Sequence, residues 1–477
     1  AVCFDARHRS ADFATATCEV LAAAGVRSHL LPGPLPTPVL AFAVRHLGAA
    51  AGVMVTASHN PPTDNGYKVY DGTGRQIVAP TDAAIAAAMA DIGRVSSVPR
   101  TGPDDPDIVR LDDGIVRAYV SGAAALGLVP DARRVKVAYT AMHGVGAATL
   151  RRVFAEAGFA PLIDVVEQVD PDPDFPTVPF PNPEEPGALD LGIGLAAAAE
   201  ADVLLANDPD ADRLGVGVPD PAGGSPTTAA GWRALRGDEI GVVLAQHLLD
   251  HGGVARGSVF ATTIVSSTLL QKMATAAGVP YVETLTGFKW ITRAPGEGQS
   301  LAFGYEEALG YCVGDLVHDK DGITAALVFA EAVAALAERG RTVLDVLDDL
   351  ARRHGVHLTG QWSARVAGAD GMAELEVAMA ALRVAPPAAL AGRPVTSVDD
   401  LLDGDPSRGL APSDVLTLHV DGGRVVIRPS GTEPKLKCYI EVVEPVAGDA
   451  DLAAARTRAA TALEALTQAA ASATGLA

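Results

Sequence analysis

"VRSHLLPGPLPTPVLAFAVRHLGAAAGVMVTASHN", Val26 to Asn60, decides the fold. An apolar run stops at Pro32. Thr37-Pro38 then opens a segment with apolar residues at helical spacing, proline in its first turn and Gly48 at its end. A second apolar run, Val53-Met54-Val55, stops at Thr56. The order is strand, helix, strand, with Thr37 as the expected helix cap. Upstream, "AVCFDA" is strand-like and "DFATATCEVLAAAG" reads as a helix stopped by Gly25. Residues 1–60 therefore read β-α-β-α-β, the pattern of a doubly wound parallel sheet.

The phrase returns twice. "RRVKVAYT", "GAATLRRVFAEAG" and "DVLLANDPDADR" repeat it over 134–213, and "GSVFATTIVSS", "TLLQKMATAAG" and "LAFGYEEALG" repeat it over 257–310. The C-terminal region differs. "DVLTLHVDGGRVVIRPSGTEPKLKCYIEVVE" reads as a hairpin turning at Asp421-Gly422, a loop and a further strand, and "DLAAARTRAATALEALTQAA" as a helix. The proline-rich stretch 170–187 is expected to be an irregular surface connection.

The whole chain bounds the rest. Its 477 residues suit two to four domains, and 48% hydrophobic against 20% charged residues allows large cores. A net charge of −21 argues against a nucleic-acid partner, although a local basic pocket can still take a small anion. Cys3, Cys18, Cys312 and Cys438 have no metal spacing and read as free thiols in a reducing, cytoplasmic setting. No signal peptide is visible, and "ITAALVFAEAVAALAERG" is too short to span a bilayer, so it reads as a core helix. The chain opens without Met and already in strand pattern, so a segment preceding it is expected.

Four loops carry candidate chemistry, each after a strand, where open α/β sheets bind ligands. In "TASHNPPTDNGYK", Ser58 stands at a strand end, His59 could polarise it or bind phosphate, and Lys68 could shuttle a proton if its pKa is depressed. The competing reading is a turn in which Ser58 and Asn60 satisfy backbone groups. In "NDPDADR", Asp208, Asp210 and Asp212 repel one another unless a cation neutralises them, and hard oxygen ligands suit Mg2+ or Ca2+. An EF-hand is excluded, because Arg213 and Pro219 stand at its glycine and glutamate positions. In "GYEEALG", Glu306 and Glu307 could accept from sugar hydroxyls, and Lys289 of the preceding "TGFKW" could meet an anion. In "RPSGTEPKLK", arginine, glycine and hydroxyl residues form a donor-rich loop suited to phosphate.

Taken in order, "TASHNP", "DPDADR", "GYEEALG" and "RPSGTEPK" resemble the α-D-phosphohexomutase superfamily of phosphoglucomutases and phosphomannomutases, over nearly the whole chain. "TAMHGVG" and "TGFKW" are most similar to the branch with type-2 phosphoglucomutases and phosphopentomutases. The resemblance implies three similar mixed or parallel α/β domains, at 1–125, 126–228 and 229–355, and a C-terminal α+β domain at 356–477, around a central cleft. It implies that Ser58 carries a phosphoryl group and that Asp208, Asp210 and Asp212 hold one Mg2+, with the phosphoserine oxygen as a further ligand. Arg213 would lie beside it, and His59 and Lys68 would assist proton transfer. Arg7 and Arg9 would bind near the phosphoserine. Thr286, Gly287, Lys289, Glu306 and Glu307 would contact the sugar phosphate. Arg428, Ser430, Gly431, Thr432 and Lys437 would grip the phosphate that does not react. Ala308 departs from the pattern, since elsewhere in the family a serine stands there. The implied activity interconverts 1-phospho and 6-phospho hexoses, of glucose or mannose, through a sugar bisphosphate that also serves as activator. Within the superfamily the alternatives are a phosphopentomutase or a sugar-bisphosphate synthase. From other classes they are a serine-phosphoenzyme phosphatase and a non-catalytic sugar-phosphate binder.

Overall fold

A computed structural model describes residues 1–221, 228–229, 231–366, 371–430 and 434–476. Over residues 1–60 the expected alternation is present. Strand Val2–Phe4 runs parallel to both neighbours, Ser28–Pro34 and Ala51–Val55, and helices Ser10–Ala23 and Thr37–His46 make the connections. The first helix turns Ala14, Cys18 and Ala22, spaced by four, onto Val2, Leu30 and Val55. Gly25 ends that connection at φ 74, a left-handed conformation that costs glycine little. The second helix has Pro38 in its first turn as expected, but Thr37 does not cap it. Pro36 holds the cap position, and the Thr37 hydroxyl donates to Asp210 Oδ2 at 2.5 Å.

The chain divides into two compact units, 1–259 with 292–343, and 260–291 with 344–477. The first unit holds two mixed sheets. One has the strand order Tyr67–Asp71, Ala51–Val55, Val2–Phe4, Ser28–Pro34, Ile108–Arg110, and its only antiparallel pair is Tyr67–Asp71 with Ala51–Val55. The other centres on the parallel strands Val137–Thr140 and Val203–Ala206, with Gly215–Pro219 antiparallel to the latter. A hairpin, Leu301–Glu306 with Gly310–Val313, follows the same rule. Each candidate loop of this unit thus follows a strand, as expected, but leads into an antiparallel partner rather than a crossover helix. That arrangement holds both ends of the loop in one ladder.

Helix Gly322–Ala337 is a core helix. Asp321 caps it by accepting from Ile323 N and Thr324 N. Its Glu331 is fully buried and is paired with Arg133 at 2.7 Å and His247 at 2.9 Å. No described helix is long and apolar enough to cross a membrane. The proline-rich stretch is irregular but not merely a surface connection, because its Phe175 and Val178 are buried, and Val178 joins a core with Ile193, Leu204 and Trp232. Prolines removed its regular structure without removing its apolar side chains.

In the second unit, Val259–Thr263 pairs in parallel with Tyr281–Thr284. A six-stranded antiparallel sheet runs in the order Val356–Arg365, Lys435–Glu444, Gly423–Pro429, Leu416–Val420, Arg393–Asp400, Ala389–Leu390. The hairpin turns at Asp421-Gly422, as read, with Gly422 at φ 64. Helices Gly371–Val384 and Leu452–Ala473 cover the sheet with Leu375, Met379, Ala455 and Leu466. All four cysteines are buried free thiols.

Candidate active site

The serine loop is built by its backbone. The strand stops at Val55, and the Thr56 hydroxyl then accepts from Ser58 N at 2.9 Å. Ser58 sits at φ 51, a left-handed conformation rare outside glycine. The loop closes where Thr56 N donates to Gly66 O. A Cβ on Gly66 would lie 2.3 Å from Thr56 O, so only glycine fits there. The buried Arg7 guanidinium holds the loop from behind. It donates to Ser58 O and Asn60 O at 2.6 Å, Pro61 O at 2.7 Å and Asp64 O at 3.3 Å. Arg7 was expected to contact substrate, but both of its terminal nitrogens donate to main-chain carbonyls and its Nε lies 3.3 Å from Asp5 Oδ2, so it positions the loop. Arg9 is exposed and faces Asp12 at 3.7 Å and the Phe13 ring.

The aspartate loop follows the fully buried strand Val203–Ala206. Asn207 fixes it, accepting from Tyr139 at 3.0 Å and donating to Arg213 O at 2.7 Å. Asp208, Asp210 and Asp212 are all fully buried, each with a carboxylate oxygen within 4.8 Å of the others'. Ser58 Oγ donates to Asp208 Oδ2 at 3.0 Å and lies 3.2 Å from His59 Nδ1. Asp208 Oδ1 accepts from Arg213 N. Lys68 donates to Asp210 Oδ2 and Asp212 Oδ2, both at 2.7 Å, and Lys320 lies 3.2 Å from Asp212 Oδ2. Asp210 Oδ1 and Asp212 Oδ1 are buried with no partner. Two orphaned carboxylate oxygens beside a third carboxylate are a hard-oxygen donor set, so this buried triad is able to bind a divalent metal of the Mg2+ type.

The electrostatics agree with the crowding. Burial, then the charges of Asp210 and Asp212, push Asp208 well above the ordinary carboxylate range. Burial works against the charge of Asp212 too, but Lys320, Lys68 and Arg213 hold its carboxyl below that range. Burial would lower Lys68, yet Asp210 and Asp212 more than offset it and hold the ammonium charged. The condition under which Lys68 could shuttle a proton, a depressed pKa, is therefore not met while both aspartates bind it. Burial, then Arg213, hold His59 down to about 3, so its ring is neutral at pH 7.

Glu306 ends strand Leu301–Glu306, and Leu309 at φ 62 closes the turn. Leu214 N donates to Leu309 O at 3.0 Å and Arg213 bridges to Gly310, so this turn is tied to the aspartate loop. Glu306 acts electrostatically on both Arg213 and Lys320. Gly237 has room for no Cβ because Glu307 O would lie 1.8 Å from it, which fixes the backbone at Glu307.

The other expected residues belong to the second unit. Thr286 and Gly287, the latter at φ 112, lead into the one-turn helix Phe288–Ile291 that carries Lys289. Ser430 N donates to Lys435 O at 2.7 Å at the start of the phosphate-loop candidate. Gly431 and Thr432 lie outside the described residues. Arg428 stands opposite Lys437 and Arg365 opposite Lys435 in the antiparallel ladder, which puts four cations on one face of the sheet.

Sequence reasoning missed three residues. Thr37 was taken for a cap, and Lys320 and Arg365 were not singled out. "HDKDG" before an apolar run was the available signal for Lys320. Arg365 had none, because only strand register brings it to Lys435.

Comparison with known proteins gives four successive family matches. They are the phosphoglucomutase/phosphomannomutase α/β/α domains I, II and III at residues 1–95, 118–223 and 236–354, and the C-terminal domain at 364–459. A Haemophilus influenzae protein named "Probable phosphomannomutase" is 44% identical over 94% of this chain and 89% of its own length. A Schizosaccharomyces pombe protein named "Probable phosphoribomutase" is 36% identical over 91% of this chain and 78% of its own. The crystal structure of parafusin, a phosphoglucomutase from Paramecium, has the same fold, with a TM-score of 0.71 at 19% identity over 99% of this chain and 88% of that one.

Proposed function

This chain belongs to the phosphoglucomutase/phosphomannomutase family and is a phosphosugar mutase, and on that premise we propose that Ser58 Oγ carries the phosphoryl group between two hydroxyls of a sugar phosphate. The observation that carries the reading is Ser58 Oγ lying 3.0 Å from Asp208 within a buried triad that keeps two orphaned oxygens. Asp208, Asp210 and Asp212 would hold Mg2+, which neutralises charge on the transferring oxygens.

The chain's own groups divide the remaining work. The phosphorus–oxygen bond at Ser58 breaks as a bond to a sugar hydroxyl oxygen forms, the hydroxyl proton ending on the freed Ser58 Oγ, and the product is a sugar bisphosphate that also primes unphosphorylated enzyme. The other phosphoryl then passes to Ser58 Oγ, and the serine proton has a neutral acceptor in His59 Nδ1 at 3.2 Å. Lys68 and Lys320 stay charged and hold the aspartates in position. Glu306 and Glu307 accept from sugar hydroxyls. Arg428, Ser430 and Lys437, with Gly431 and Thr432, take the phosphate that is not transferred. Opposed like charges on neighbouring strands favour an anion there.

The substrate is a hexose 1- or 6-phosphate of glucose or mannose type. The 36% identical relative named for ribose supports a second reading, a pentose phosphate. Family membership favours isomerisation over the phosphatase and binder readings. A bisphosphate-primed assay comparing glucose 1-, mannose 1- and ribose 1-phosphate decides the sugar. Intact mass after exposure to a sugar bisphosphate tests the chemistry: wild type should gain one phosphoryl mass and Ser58→Ala none. Equal gain by both overturns it.

A further inference from the structure

Each aspartate of the triad has one carboxylate oxygen tied by the chain. Asp208 Oδ1 accepts from Arg213 N at 3.0 Å, and Asp212 Oδ2 accepts from Lys68 at 2.7 Å with Lys320 3.2 Å away. Asp210 Oδ2 accepts from Lys68 at 2.7 Å and from the Thr37 hydroxyl at 2.5 Å. The oxygens left are Asp208 Oδ2, which meets Ser58 Oγ, and the orphaned Oδ1 atoms of Asp210 and Asp212. Apart from Ser58, Thr37 is the one uncharged side chain that donates to the triad among the described residues.

Thr37 opens helix Thr37–His46 and is fully buried. At the first helical position no carbonyl of a preceding helical turn competes for a hydroxyl, so the hydroxyl can reach outside the helix. The Thr37 backbone N–H, which has no partner within its helix, donates to Asp210 O at 2.9 Å. On the other side Val145 N donates to Pro209 O at 2.9 Å. The main chain under Asp210 is therefore fixed, and the freedom that remains is rotation of its carboxylate, which is soft about χ2. Lys68 and the Thr37 hydroxyl both act on that rotation, but they differ in charge. A divalent cation arriving at Oδ1 repels the ammonium and does not repel the hydroxyl. The hydroxyl is thus the donor that keeps its hold on Asp210 Oδ2 as positive charge enters.

We propose that Thr37 is a positioning residue for the metal: its hydroxyl holds Asp210 Oδ2 back, leaves Oδ1 for the cation, and so raises the affinity of the triad for Mg2+. The inference rests on the metal role proposed above for the triad and adds to it a residue from another domain. Thr37 and Ser58 lie within the match to domain I, and the three aspartates within the match to domain II. The strand that follows the Thr37 helix, Ala51–Val55, ends in the serine loop. One neutral contact therefore sets the aspartate loop against the element that leads to Ser58.

Calorimetric titration of Mg2+ into the full chain, without substrate, tests this. Thr37→Val keeps the side-chain shape without the hydroxyl and should bind Mg2+ about tenfold more weakly than wild type. Thr37→Ser keeps the hydroxyl and should bind within about twofold of wild type. Thr37→Cys offers a weaker donor and should fall between them. Where Thr37→Val does not fold, wild-type affinity in Thr37→Cys overturns the proposal. The Mg2+ concentration for half-maximal turnover should rise in Thr37→Val while turnover at saturating Mg2+ recovers. A merely structural role would lower Tm and leave both Mg2+ constants unchanged. Asp210→Asn separates this inference from the reading it rests on. If that variant loses Mg2+ while Thr37→Val binds as wild type does, or if Thr37→Ser is as weak as Thr37→Val, the role of Thr37 falls alone. If wild type shows no Mg2+ binding that depends on Asp210, the metal reading falls and this inference with it.

Discussion

In the first unit three buried aspartates meet two lysines of the same chain, whereas in the second the strands flanking residues 430–434 set Arg428 against Lys437 and Arg365 against Lys435. The first arrangement neutralises most of its own charge and keeps two oxygens in reserve. The second gathers like charge on one sheet face, where the proposed function puts the phosphate that is not transferred. On the proposed function, the first region does the chemistry and needs its groups held before substrate arrives, while the second grips the ligand.

The largest effect tests the held region. On the proposed role of Ser58 as nucleophile and leaving group alike, Ser58→Ala should lower mutase turnover by at least about a thousandfold. Its Tm should change little, since the Arg7 clamp holds this loop by its carbonyls and not by the serine side chain. Retained turnover in a primed assay would break the comparison at its centre.

Next comes acid stability of the second unit. Burial would raise Glu441, but His357 and Arg424 bring it from an ordinary 4.5 to about 2. A carboxyl lowered by folding stabilises above its unfolded pKa, and that stability is lost as pH falls through the folded value. The loss should be on the order of 3 kcal/mol between about pH 5 and pH 2. Urea midpoints measured across that range check it, and Glu441→Gln should flatten the slope. An unchanged slope in the variant would put the acid sensitivity elsewhere.

Asp210→Asn should weaken Mg2+ binding by about a hundredfold, with turnover falling in parallel and partly recovered at high Mg2+. Full activity in EDTA would remove the metal from the account. Arg428→Ala should raise the apparent KM for sugar phosphates roughly tenfold. Loading of Ser58 from a small donor with a single phosphate should be unaffected. If loading collapses while KM holds, the second unit does more than grip.

Where the sequence was legible, local chemistry was the reason. Gly25 after an apolar periodic run, Pro38 in a first turn and Asp421-Gly422 between alternating strands each specify backbone within a few residues. The loops after Val55, Ala206 and Glu306 were legible because their polar residues interrupt apolar strands. What stayed hidden depends on distant partners. Thr37 had the composition of a cap, but its hydroxyl binds Asp210, 173 positions away. Arg7 was read by its charge as a substrate ligand. Its actual acceptors are carbonyls of a loop more than fifty positions on, which carry no sequence signature. The proline-rich stretch was read by its breakers, and its buried Phe175 and Val178 were given too little weight.

The Arg7 clamp has a consequence for how this loop tolerates change over generations. Within the loop this guanidinium meets only carbonyl oxygens and is blind to the loop's side chains, so the residues it grips at Asn60, Pro61 and Asp64 are open to drift without loosening the grip. Two positions are not free in this way. Ser58 holds a left-handed backbone, and Gly66 has a carbonyl where a side chain would begin. Variation in the loop should therefore accumulate from Asn60 onward and short of Gly66, while His59, which takes the serine proton, and Arg7, far from the loop in the chain, should vary little.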